Sequence, residues 1–250
     1  MRKRDFIPIV AVLLVLPGAA HAQDGFLFGS PKAQITLRAG PVLHRAGGDL
    51  FGFFRDELTL GRGDFSAPAI GGELAIAVHD RVDVTLGASW ANVEMSSEFE
   101  DWVDEGPTDS EDDDLPIAQM TALRTIPLTA SVRYYLMSRG TGISELAWVP
   151  SRWTPYVGAG GGFTWYRLRQ NGDFVDTEDL TIFTADFESS GRATTFHVLG
   201  GVDHWLTPKF GLNLEGRYSF GSAPPGGDYE GWDEVDLSGF QLGVGLALRW

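Results

Sequence analysis

The chain has 250 residues, no cysteine, and 34 acidic against 19 basic side chains, for a formal net charge of −15 at pH 7. Without cysteine there is neither a disulfide framework nor a thiolate metal site. Such acidity argues against nucleic acid as a partner.

The first segment, MRKRDFIPIVAVLLVLPGAAHA, sets Arg2, Lys3 and Arg4 before an apolar stretch from Phe6 to Leu16 and closes on Ala20-His21-Ala22. This layout predicts a secretory signal peptide over residues 1–22, cleaved after Ala22, and one mature domain over 23–250. Cleavage would remove Arg2, Lys3, Arg4 and Asp5, a net +2, and take the charge from −15 to −17. A membrane anchor fits less well, because the apolar core is too short to span. No later apolar run has the length of a membrane helix. A membrane-resident form would therefore need a closed barrel, since strands in lipid cannot leave an edge unpaired.

Eight segments alternate with period 2, the mark of strands with one apolar face. The first, residues 33–44, sets Ile35, Leu37, Ala39, Pro41 and Leu43 against Gln34, Thr36, Arg38, Gly40 and His44. The second, 69–79, sets Ile70, Leu74, Ile76 and Val78 against Gly71, Glu73, Ala75 and Ala77, and the third, 82–92, sets Val82, Val84, Leu86, Ala88 and Trp90 against Asp83, Thr85, Gly87 and Ser89. In the fourth, 121–136, Ile126, Leu128, Ala130, Val132 and Tyr134 oppose Thr125, Thr129, Ser131 and Arg133. The fifth, 154–169, is glycine-rich, with Val157, Ala159, Phe163 and Trp165 as its outer face. Its run Gly158, Gly160, Gly161 and Gly162 lacks the Lys and helix start of a phosphate loop and reads as relief for close strand packing. The sixth, 193–206, sets Phe196, Val198, Val202 and Leu206 against His197, Gly201 and Asp203. The seventh, 209–220, sets Phe210, Leu212, Leu214, Tyr218 and Phe220 against Gly211, Asn213, Glu215, Arg217 and Ser219. The eighth, GFQLGVGLALRW, sets Phe240, Leu242, Val244, Leu246, Leu248 and Trp250 against Gln241, Gly243, Gly245, Ala247 and Arg249.

His79-Asp80-Arg81 and Thr207-Pro208-Lys209 make tight turns, whereas four alternate connections are long, roughly 15 to 28 residues. In an up-and-down meander those four lie at one end. The fold expected is therefore all-β, an eight-stranded antiparallel up-and-down transmembrane β-barrel of the outer-membrane kind. Aromatic residues fall into two belts: Tyr134, Trp153, Tyr156, Trp205 and Trp250 at the short-turn end, and Trp90, Trp165, Tyr166 and Tyr218 toward the loop end. A soluble barrel would turn the apolar face inward and leave both the belts and the final strand unexplained.

The final strand, with Gln241, Gly243, Leu246, Leu248 and the aromatic Trp250, resembles the signal by which outer-membrane barrels are recognised by their assembly machinery. The stretches IPLTASVRYYL, TPYVGAGGGFTWY and GGVDHWLTPKFGLNLEGRYSF resemble central strands of small Gram-negative outer-membrane β-barrel families, the OmpA transmembrane domain and especially OmpW. The resemblance covers residues 121–250 and carries a fold and no catalytic residue. It implies residence in the cell outer membrane, with membrane lipids, lipopolysaccharide and the barrel assembly machinery as partners and no cofactor. An OmpW lumen is apolar and suits small hydrophobic ligands. Here the inward positions carry Glu73, Asp83, Asp203 and Glu215 with Arg38, Arg133, Arg217 and Arg249. Eight strands leave room only for side chains to fill the interior, so these charges are expected to pair in two layers. Arg38, Glu73, Glu215 and Arg217 fall at mid-height, and Asp83, Arg133, Asp203 and Arg249 nearer the short-turn end.

Residues 94–114 hold eleven Asp or Glu and no Lys or Arg. A divalent-cation site bridging to lipopolysaccharide phosphates is one reading. A solvated loop of mutually repelling charges fits better, because no EF-hand spacing is present. His44 and His197 point inward near the loop end, where a lipid-modifying enzyme would use a His with a Ser. No nucleophile motif sits beside either. The function expected is non-enzymatic, an envelope-structural or surface-interaction role with a charge-plugged lumen. A channel for small hydrophobic molecules comes second and an outer-leaflet lipid-modifying enzyme third.

Overall fold

The computed structural model describes residues 25–104, 115–144, 147–176 and 181–250. The predicted signal peptide and residues 105–114 of the acidic segment lie outside these. Eight strands close a barrel: β1 (Ala33–His44), β2 (Ala67–His79), β3 (Val82–Asp104), β4 (Leu115–Tyr135), β7 (Trp153–Val175), β8 (Ile182–Trp205), β9 (Phe210–Phe220) and β12 (Gly239–Arg249). Each pairs antiparallel with its chain neighbour in the ring, and β12 closes on β1 with Leu248 opposite Ile35 and Leu246 opposite Leu37. The remaining strands are short: β5 (Gly140–Ser144) with β6 (Ala147–Pro150), and β10 (Ser222–Ala223) with β11 (Val235–Asp236).

The alternation resolves into an apolar outside and a polar inside. On β9, Leu212 and Leu214 are 41% and 45% exposed, while Asn213 and Glu215, which alternate with them, are buried. Leu86, Leu128, Val132, Val198 and Val244 continue the outer band on neighbouring strands. An apolar surface of that extent around a whole barrel suits lipid, and the soluble alternative, with its apolar face inward, is the opposite of what is found. Trp90, Trp165 and Tyr218 border the band toward the loops, and Tyr134, Trp153 and Trp250 border it toward the turns, all at least partly exposed. Trp153 and Trp165 are twelve residues apart on β7, roughly 28 Å at a strand tilt near 45°.

Three aromatic residues leave the belts. Trp205, Tyr156 and Tyr166 are buried, at 4%, 1% and 3% exposure. Their height matches a belt but their parity is inward, and parity decides which solvent a strand side chain meets.

The strands also run further than their apolar alternation. β3, β4, β7 and β8 hold 23, 21, 23 and 24 residues, so much of two expected loops, including acidic residues 94–104, is paired strand. β3, β4, β7 and β8 are neighbours in the ring and make one tall wall. The opposite wall ends lower, and its mouth is filled by the connections 45–66 and 221–238. The first of these contains a helix, α1 (Asp49–Glu57), which buries Leu50, Phe51 and Phe54. They pack with Phe65, Leu123, Tyr166, Leu168, Ala193, Tyr229, Val235 and Leu237 into an apolar cap over the loop end of the lumen.

Candidate functional site: a charged plug in the lumen

Four barrel strands deliver the centre of the lumen: Arg38 from β1, Glu73 from β2, Arg133 from β4, and Glu215 and Arg217 from β9. Arg38 Nη2 donates to Glu73 Oε1 at 2.8 Å and lies 3.2 Å from Glu215 Oε2, while its Nε donates to Asn213 Oδ1 at 2.6 Å. Arg133 Nη2 donates to Glu215 Oε2 at 2.6 Å and also pairs with Glu73. Arg217 Nη2 reaches Glu215 Oε1 at 3.0 Å and Glu73 Oε2 at 3.3 Å, and its Nη1 donates to Thr129 Oγ1 at 3.2 Å. Three guanidinium groups thus share two carboxylates, and each carboxylate meets all three. The cluster leaves a void of only about 30 Å³ beside it, about the volume of one water.

Tyr156 supports the cluster from below. Its hydroxyl donates to Glu215 Oε2 at 2.9 Å and accepts from Asn213 Nδ2 at 2.8 Å, and its ring lies 4.4 Å from the Arg133 guanidinium carbon. β12 passes this level with small inward residues. A Cβ at Gly245 would collide with Leu37 O and lie 2.7 Å from Arg38 Cγ, so glycine there admits both the facing β1 backbone and the Arg38 stem. Gly243 faces the same stem, Gln241 is half-buried on the same inner face, and Leu246 and Leu248 are on the outer side.

The layering differs from that expected. Arg133 belongs to the mid-height cluster rather than to the lower layer, because a long guanidinium stem reaches a level above its own backbone. The lower charges use other partners. Asp83 pairs with Arg139 at 2.8 Å and accepts from the Tyr135 hydroxyl at 3.1 Å. Asp203 accepts from Asn213 Nδ2 at 2.6 Å and Gln34 Nε2 at 3.4 Å. Arg249 has no carboxylate partner among the described residues. It stacks on Trp205, 3.5 Å to the ring centroid, and donates through Nε to Pro208 O at 2.8 Å. Below these groups a vestibule of about 370 Å³ opens toward the short turns, lined by Lys32, Asp83, Arg139, Trp148, Asp203 and Arg249 among others.

Above the cluster, His197 is buried and its Nε2 lies 2.7 Å from Ser131 Oγ. The His–Ser neighbour therefore comes from a facing position on another strand, where no sequence motif could announce it. The other ring nitrogen, Nδ1, has no hydrogen-bond partner among the described residues, so none of them fixes its tautomer, and the pair is enclosed between the cluster and the apolar cap. His44 is also buried, with Nδ1 without a partner. Among the described residues no group of three or more His, Asp or Glu is placed to hold a metal ion. Tyr135, Arg139, Tyr156 and Asn213 were not among the expected site residues. The alternation places Asn213 on the inner face without marking it as a partner of the charges, Tyr156 was expected in a belt, and Arg139 follows β4 in a turn and carried no such signal.

No protein-family model and no curated protein matches the sequence. Among solved structures, the chain is similar to Neisserial surface protein A, at 13% identity over 91% of this chain and 98% of that one, with a TM-score of 0.45. It is similar to the outer membrane protein OprG from Pseudomonas aeruginosa, at 15% identity over 90% and 99%, TM-score 0.45. It is also similar to Escherichia coli outer membrane protein W, at 18% identity over 89% and 100%, TM-score 0.38.

Proposed function

We propose that the chain is an outer-membrane β-barrel with a structural or surface-interaction role and a lumen that does not conduct. The carrying observation is the five-residue cluster of Arg38, Glu73, Arg133, Glu215 and Arg217, which leaves a water-sized void at mid-height. Opening a path would require separating buried ion pairs, each left uncompensated at a cost of several kcal/mol. The apolar outer band and aromatic borders support lipid residence, the predicted export signal supports the outer membrane, and the greater length of chain at the loop end supports placing that end outside the cell. The enclosed His197–Ser131 pair, with no third group to orient it, favours a non-enzymatic role.

The test is conductance. Purified barrel reconstituted in planar bilayers should give no large, steady single-channel currents. Such currents from wild-type protein would overturn the closed lumen and promote transport. One observation supports a limited version of the hydrophobic-ligand reading: an apolar cleft of about 310 Å³ at the loop end, lined by Phe53, Phe99, Trp102, Phe174, Phe183, Phe187, Tyr229 and Trp232 among others. That cleft can receive a small apolar molecule, but the cluster below blocks passage through the axis.

A further inference from the structure

We propose that the outer surface of β4, β7 and β8, just above the loop-end aromatic belt, binds the phosphate group of an outer-leaflet glycolipid through Arg124 and Arg192.

The strand registers arrange the outward side chains in rows. In the belt row, Ile126 is opposite Trp165 and Trp165 opposite Arg192. In the next row outward, Asn92, Arg124, Arg167 and Ser190 stand side by side on β3, β4, β7 and β8. Arg124 and Arg167 are thus directly opposed like charges, an unfavourable arrangement on a sheet, and of the two only Arg167 has a carboxylate to offset it among the described residues. No carboxylate occupies either row. The acids begin one row further out, where Glu188 takes Arg167 Nε and Nη2 at 2.7 and 2.9 Å, and beyond it Asp186 takes Arg169 Nε at 2.7 Å. Neither Arg124 nor Arg192 has a carboxylate partner among the described residues. Arg124 Nε donates only to Asn92 Oδ1 at 3.4 Å, and the Arg192 guanidinium carbon lies 4.6 Å from the centroid of the Phe163 ring.

The result is a cationic strip with no carboxylate in its own two rows, in a chain of net charge −15, set at the boundary between an apolar wall and water. Arginine forks match phosphate oxygens, and cationic side chains at this depth attract anionic headgroups. A ligand whose phosphate sat on Arg124 and Arg192 would lay its acyl chain over Phe163, Trp165 and Leu128. A free soluble anion would gain the same arginines without that wall and would meet the repulsion of the surrounding acids. The proposal rests on the loop end facing the outer leaflet, as proposed above.

The test uses the full mature barrel in neutral detergent and native mass spectrometry. The probes are diphosphoryl lipid A, phosphatidylcholine and inorganic phosphate. Wild-type protein should retain lipid A in preference to phosphatidylcholine, and R124Q/R192Q should lose that preference by roughly ten- to thirtyfold. R124K/R192K should recover much of it. R62Q/R152Q, which removes two exposed arginines elsewhere, should match wild type. Equal retention by wild type and R124Q/R192Q would overturn the site, as would displacement of lipid A by inorganic phosphate at similar concentration, which would mark a soluble-anion site. Membrane insertion is scored separately by heat-modifiable mobility in vesicles. A wild-type barrel that inserts yet shows no lipid A preference therefore counts against the site alone.

Discussion

Arg133 has no exposed side-chain surface, and among the described residues only Nη2 of its guanidinium meets carboxylates, with Nε and Nη1 left without hydrogen-bond partners. The face of Tyr156 partly offsets that deficit, which ties the charge to both Glu73 and Glu215. Glu215→Gln would leave three guanidinium groups facing one carboxylate. A broken buried pair typically costs about 3 to 5 kcal/mol, and the water-sized void beside the cluster should lower that figure. Arg133→Met combined with Glu215→Gln should be less harmful than the two single changes summed, by a coupling of about 0.5 to 3 kcal/mol in urea unfolding from micelles. Strict additivity would show that the two side chains do not act as a unit. Period 2 makes the backbone position of every one of these charges legible from the sequence. It does not say how far a guanidinium reaches, which is why Arg133 rises a level and Arg249 turns to a Trp. Nor does height alone orient an aromatic ring, as Trp205, Tyr156 and Tyr166 illustrate.

At the level of elements, the membrane-crossing stretches are legible because one face meets lipid and the other the lumen. Above the belt the outer faces of β3, β4, β7 and β8 meet water instead of lipid, and alternation fades in stretches such as EFEDWVD and QNGDFVD even though the strands continue. Hydrogen bonding between neighbours carries the pairing there, and composition does not report it. The helix α1 did carry a signal, since Leu50, Phe51 and Phe54 recur at helical spacing. It was obscured by lying within a connection. Its burial makes a separable prediction. Phe54→Ala, in contact with Phe51, Phe65 and Tyr229, should destabilise the cap by about 3 to 5 kcal/mol and expose residues 45–66 to limited proteolysis while the barrel keeps its heat-modifiable mobility. Simultaneous loss of cap and barrel would show that the two unfold as one unit.

For the whole molecule, closure depends on one seam. The Trp250 carbonyl accepts from the amides of Lys32 and Ala33 at 2.8 and 3.1 Å, and its own amide donates to Ala33 O at 3.0 Å. Trp250 is 56% exposed, at an outward position on the strand's parity. Deleting Trp250 removes the seam's last bonds together with the aromatic residue that resembles an assembly signal. The expected outcome is a sharp fall in folded, heat-modifiable protein in the outer membrane, and unchanged assembly would count against both roles. The tall wall of β3, β4, β7 and β8 has a mechanical consequence as well. Ladder hydrogen bonds lie across the strand direction, so a pull on the outer tip along the strands loads many of them at once, in shear. The β7–β8 pairing runs in continuous register from Val175 opposite Ile182 down to Trp153 opposite His204, so tension applied to those upper strands would be carried into the body of the barrel.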